Sequence, residues 1–131
     1  MDKMIDILQK SSDMLLELVK AMPHKFIGKK LGPGGHPIYE YEHAGTKDKH
    51  EVYHKAGDRP RINGSTADVH REMGQVDIEQ MNNFKKMAAT HKDEHVREIA
   101  RDSVKYHAKE AKKRMEKAHI LEHHEKRMKS E

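Results

Sequence analysis

The sequence predicts a mainly helical protein with one small antiparallel β element: an α+β fold in which an N-terminal amphipathic helix leads into a β hairpin or meander and then into long C-terminal helices. Three observations carry this expectation. Apolar residues recur at helical spacing near the start of the chain; aromatic and β-branched residues then alternate between glycine-containing turns; and past Gly74 there is neither glycine nor proline. The resulting division is a helix over 1–23, a hairpin or meander over 24–56, a loop over 57–76, and a helical region over 77–131 with a break near 90–93.

The first helix follows from Met4, Leu8, Leu15, Leu18, Val19 and Met22, with Ile5, Ile7 and Leu16 widening the stripe and Pro23 ending it. Its polar face mixes both signs of charge instead of being basic, which points to packing or self-association and not to a membrane surface. Charges at Asp2, Lys3, Asp6, Lys10 and Asp13 are expected to exclude a secretory signal or a membrane span here. Leu8, Leu15 and Leu18 are therefore candidates for contact with a partner.

The β element is read from strands at about Lys25 to Leu31 and Pro37 to Glu42 around the Gly32–Gly35 turn, with a third strand over His50 to Lys55. "GDRPRINGS", residues 57 to 65, has loop composition. Farther on, Asp77 is a plausible N-cap, followed by an apolar face of Met81, Phe84 and Ala88 that continues into His91 and His95. Val104, Ala108, Ala111, Met115 and Ala118 follow a different heptad phase, so the helix must break; "THKD" supplies a capping sequence, with Thr90 as cap and Asp93 three residues on. The expectation is one helix of about 13 residues and a second of about 35, with an alanine seam that permits close approach.

Of the 131 residues, 34% are hydrophobic, 5% aromatic and 37% charged, which leaves a thin core and favours an extended or oligomeric protein. There is no cysteine, so any metal site must use histidine and carboxylate. Net charge is +4 with histidines neutral, compatible with anionic partners without requiring them.

Twelve histidines invite a search for metal chemistry. "HEVYH" (50 to 54) has zinc-peptidase spacing, but in a strand residues 50, 52 and 54 share one face and Glu51 points to the other, so base and imidazoles are parted. "HKDEH" and "HILEH" lie on expected helices, with starts at His91 and His119, about 42 Å apart on one straight helix and unable to share an ion. His91 and His95 are the better metal candidates because they extend an apolar face, whereas His119 and His123 read as a solvated helix boundary. No third ligand is nominated, no cofactor is expected, and a zinc hydrolase using Glu51 or Glu94 as base is the least favoured function.

Lys105, Lys109, Lys112, Lys113, Arg114 and Lys117 outnumber the acids around them and could contact phosphates without reading sequence. Arg59 and Arg61, with Tyr39, Tyr41 and Tyr53, could form a second patch that stacks on bases or fills pockets on a protein partner. "LGPGGH" lacks Walker spacing and is a turn.

"HKFIGKKLGPGGHPIYEYE" after an amphipathic helix resembles the short aromatic hairpin of many tailed-phage and prophage proteins, among them head-morphogenesis and large polyvalent proteins. The His/Glu/Lys/Ala-rich segments "AATHKDEHVREIA" and "YHAKEAKKRMEKAHILEHHEKR" are similar in composition to helices that accompany it. This resemblance implies a small phage-encoded protein, a virion component or a modulator of host machinery, placed in the virion or the host cytoplasm. It supplies no catalytic residue. The expected function is thus a non-catalytic, oligomeric protein-interaction protein, with a sequence-nonspecific nucleic-acid binder, or an inhibitor of a host nucleic-acid enzyme, as the alternative.

Overall fold

A computed structural model describes residues 24–43 and 47–130. The first helix, with Leu8, Leu15 and Leu18, lies outside the described residues. Among those described, three strands form one antiparallel sheet in the order β1 (His24–Leu31), β2 (Pro37–His43), β3 (Lys49–Tyr53), followed by helices α1 (Ala67–Thr90) and α2 (Glu94–Ser130). No described helix is long and apolar enough to cross a membrane.

The meander forms where alternation predicts it, third strand included. Its first turn is a single 3-10 turn, Pro33–Gly35, in which Gly34 and Gly35 take φ of 74° and 78°, a region that a side chain would strain. Pairing of Phe26 with Tyr41 and of Tyr39 with Val52 sets the register and puts Phe26, Tyr39 and Tyr41 on one face. Beyond β3 the chain doubles back: Tyr53 bridges Arg61, and Asn63 and Gly64 (φ 53° and 80°) make a two-residue reversal between Ile62 and Ser65. The sequence "NGS" is therefore a tight turn, and Ile62 beside it is almost completely buried.

The helices depart from expectation at their starts. α1 runs for 24 residues from Ala67, with Thr66 at the N-cap position, so it begins ten residues before Asp77. Asp77 lies inside the helix, where its carboxylate meets His107 Nδ1 at 2.9 Å. The break falls where predicted, but its chemistry differs. Thr90 closes α1, its hydroxyl donating to the Lys86 carbonyl, while the Asp93 carboxylate accepts from the His95 amide and opens α2. α2 then runs for 37 residues, about 55 Å.

Because α2 outreaches α1, it contributes to two cores. Its first half packs antiparallel on α1 through Val104, Ala108, Ala111 and Met115 against Ile78, Met81 and Phe84. Gly74 lies at this close approach: a Cβ there would stand 2.9 Å from the flexible end of Met115, at Cε. Its second half lies on the sheet, where Ile120 and Leu121 join Tyr41, Val52, Ile62 and Ala67.

Candidate functional site: a histidine seam between sheet and helix

Strand geometry sends alternate residues to the helix, and here those residues are mostly rings. β1 contributes His24 and Phe26, β2 contributes Tyr39, Tyr41 and His43, and β3 with its following residue contributes His50, Val52 and His54. From α2, residues 116, 120, 123, 124 and 127 return at helical intervals to meet them. A conventional sheet–helix core would be aliphatic. This one holds hydrogen-bonded imidazoles.

At its centre Tyr41 Oη is 2.7 Å from His124 Nδ1, and His124 Nε2 is 3.0 Å from His54 Nδ1. One consistent arrangement has the phenol donating to Nδ1 and His124 donating onward from Nε2, which leaves His54 protonated on its outer nitrogen. Burial, then the neighbouring His54 and the Arg127 charge, push the His124 pKa down to about 4. Neutrality suits a ring that must donate on one side and accept on the other.

At the β1 edge the His24 ring packs edge-on against His119 and His123, with centroids 4.8 and 4.6 Å away. Burial first, then the imidazoles of His119, His123 and His43, lower its pKa to about 4. Its Nε2 is buried without a hydrogen-bond partner among the described residues. Arg127 covers the Phe26 ring at 3.6 Å. At the other end His50 Nε2 is 3.1 Å from Glu116 Oε1. Burial alone would raise the Glu116 pKa, but the His50 hydrogen bond and charge outweigh it and hold the carboxyl below its ordinary value. Near the α1 start, His70 Nε2 donates to the Ile62 carbonyl at 2.7 Å, turning Nδ1 toward the Arg114 guanidinium at 3.4 Å. Burial lowers the His70 pKa.

These contacts assign "HEVYH". His50 and His54 both face α2 on either side of buried Val52, while Glu51 lies on the opposite face, held by Lys30 at 3.0 Å and the Tyr53 hydroxyl at 3.1 Å. With base and imidazoles on opposite faces, the zinc-peptidase arrangement cannot form. His91 and His95 do not extend the buried face of α1; both are exposed at the interhelical break, where His91 Nδ1 accepts from the Asp93 amide. Among the described residues no three histidine or carboxylate groups converge to hold a metal ion. Of His119 and His123, read from sequence as a solvated boundary, His123 is exposed and His119 half-buried, and both rings pack edge-on against His24. His124, which no sequence pattern singled out, is fully buried.

The other candidates divide. Tyr41 is buried and unavailable to a partner, Tyr39 is half-buried in the seam, and Tyr53 is exposed on the outer face. Arg59 pairs with Asp68 and Glu125 at 2.9 and 3.1 Å, and Arg61 with Asp58 and the Gly64 carbonyl, both guanidinium groups remaining at the surface. On α2, Lys105, Lys109 and Lys113 are exposed in a row at four-residue steps, while Lys112, Arg114 and Lys117 are half-buried. Arg114 turns toward α1. Lys113 and Lys117 instead line a concavity of about 340 Å³ with Lys49, His50, Asn63 and Glu116. Comparison of the chain with protein-family models, with curated proteins and with solved structures found no match.

Proposed function

We propose that this chain is a non-catalytic, phage-type interaction protein that works as an oligomer, and that the outer face of α1 is where copies meet. One observation carries the reading. Val69, Met73, Val76, Gln80, Asn83 and Met87 follow the 4-3-4-3-4 spacing of a coiled-coil seam, and all six are exposed. The apolar members are 40%, 38%, 53% and 40% accessible, and Tyr106 of α2, at 61%, adjoins Met73 and Val76 across a shallow groove. So much aligned apolar surface on a chain this polar favours a cover.

The cover we assign is a second copy, antiparallel. The spacing reads the same in both directions, so Val69 meets Met87, Met73 meets Asn83 and Val76 meets Gln80 in one register. Glu72 at one end of the flank and Lys85 and Lys86 at the other then bring opposite charges together at both ends. The phage assignment rests on the hairpin sequence alone. Light scattering on the full chain is expected to give a dimer, and Met73→Glu with Val76→Glu a monomer of unchanged helicity. A wild-type monomer at tens of micromolar, or a dimer that survives both substitutions, overturns the reading.

A further inference from the structure

We propose that the concavity between β3, the Asn63–Gly64 turn and α2 binds a phosphate group, held by Lys49, Lys113 and Lys117 with the Asn63 amide as a neutral donor. It goes beyond the interaction reading and is independent of it, since none of these residues lies on the α1 seam.

The charges in this hollow do not balance within the fold. Lys117 is half-buried and makes no ion pair among the described residues; nor does Lys49, and Lys113 has only Glu110 at 3.9 Å. Of the two carboxylates in the wall, Glu116 is turned into the seam and taken by His50, and Asp48 already has a partner. Three lysines from two elements thus line one space with two carboxylates, Asp48 and Glu116, each of which has another partner. Burial first, then the Arg114 charge, lower the Lys117 pKa, with Lys113 adding to this and Glu110 and Glu116 opposing it. Partly burying a long cation without a partner is costly unless something else compensates for it.

A phosphate suits the geometry. Ammonium groups act as point charges that surround a tetrahedral dianion from several directions, whereas a single carboxylate would pair with one of them and leave two unanswered. Asn63 is fixed at positive φ by its turn, so its position does not depend on the ligand. The hollow is larger than one phosphate and leaves room for what the group is attached to. Lys113 also ends the exposed row begun by Lys105 and Lys109, which gives a phosphodiester strand a path out along α2.

Amide chemical-shift titration of the full chain with inorganic phosphate, and separately with a single-stranded oligonucleotide, tests the site. Saturable shifts at Lys49, Asn63, Lys113 and Lys117 are expected in at least one titration, weakened about tenfold or more by Lys117→Gln. Lys49→Gln, on an exposed strand position, should weaken them too and guards against a folding defect at Lys117. If free phosphate is the source, Lys105→Gln with Lys109→Gln leaves binding intact. If nucleic acid is the source, the same pair weakens oligonucleotide binding and lowers its salt dependence. No saturable shift with either probe, or binding indifferent to both Lys49→Gln and Lys117→Gln, overturns the proposal.

Discussion

Along α2, the face toward α1 carries Val104, Ala108, Ala111 and Met115, while a few turns later the face toward the sheet carries Glu116, His119, His123 and His124. The first seam is largely apolar and small-sided and depends on close approach, with the His107–Asp77 contact at its half-buried edge. The second is stitched by ring nitrogens, and at His24 and His124 burial favours the neutral ring. One helix therefore joins two cores with different vulnerabilities: volume decides the first, protonation and hydrogen bonding the second.

The widest separation between the seams is expected from truncation at their centres. Tyr41→Ala should cost about 3 to 5 kcal/mol, since it removes a fully buried ring and leaves His124 without its partner. Met81→Ala, also fully buried, should cost about 2 to 5 kcal/mol through the cavity alone. Tyr41→Phe sharpens the contrast: removing only the hydroxyl should cost about 1 to 3 kcal/mol in the second seam, although packing volume is kept. Urea unfolding followed by circular dichroism measures all three. A neutral Tyr41→Phe would mean that the relay is incidental to the sheet–helix core.

Acid comes next. His24 and His124 are held near 4 in the folded protein against an ordinary 6.5, so their neutral forms belong to the native state. The unfolded chain takes up those protons first. Stability is therefore complete above pH 6.5 and falls as the pH drops toward 4, by at most about 1.4 kcal/mol per pH unit for each imidazole. Amide exchange at pH 5 should show the β2 and β3 protons losing protection relative to pH 7.5, with α1 changing less. Equal loss in both regions would dissolve the distinction between the seams.

The smallest effect belongs at the interhelical break. His91→Ala and His95→Ala should each shift stability by no more than about 0.5 kcal/mol, because both side chains are exposed. Zinc should leave the thermal unfolding of the wild type unchanged. A zinc-dependent rise abolished by either substitution would return these residues to consideration as ligands.

The apolar seam was largely legible in the sequence, and the polar one was not. Val104, Ala108, Ala111 and Met115 announce themselves by period, and the change of phase against Met81 and Phe84 locates the turn between helices. Strand alternation also placed His50, Val52 and His54 on one face, with Glu51 on the other. The start of α1 was hidden because Gly74 reads as a breaker, although it sits where Met115 presses closest, and because Val69, Met73 and Val76 repeat on a face that no described residue covers. His119 and His123 looked solvated because their local neighbours are glutamate and lysine. What their rings meet is His24, at the opposite end of the described chain, which no local window contains, although His123 stays exposed. Lys49 and Asn63 escaped for the same reason: each looks ordinary until α2 brings Lys113 and Lys117 beside it.

That separation along the chain bears on how the protein is made. Tyr41 and His124 lie 83 positions apart, and His54 and His124 lie 70 apart, so the meander leaves the ribosome well before the helix that covers it. Through that interval α2 is not there to cover the meander's inner face. A face of valine and leucine alone would invite aggregation while it waited; one in which histidine and tyrosine stand among Phe26 and Val52 can be partly hydrated until α2 arrives.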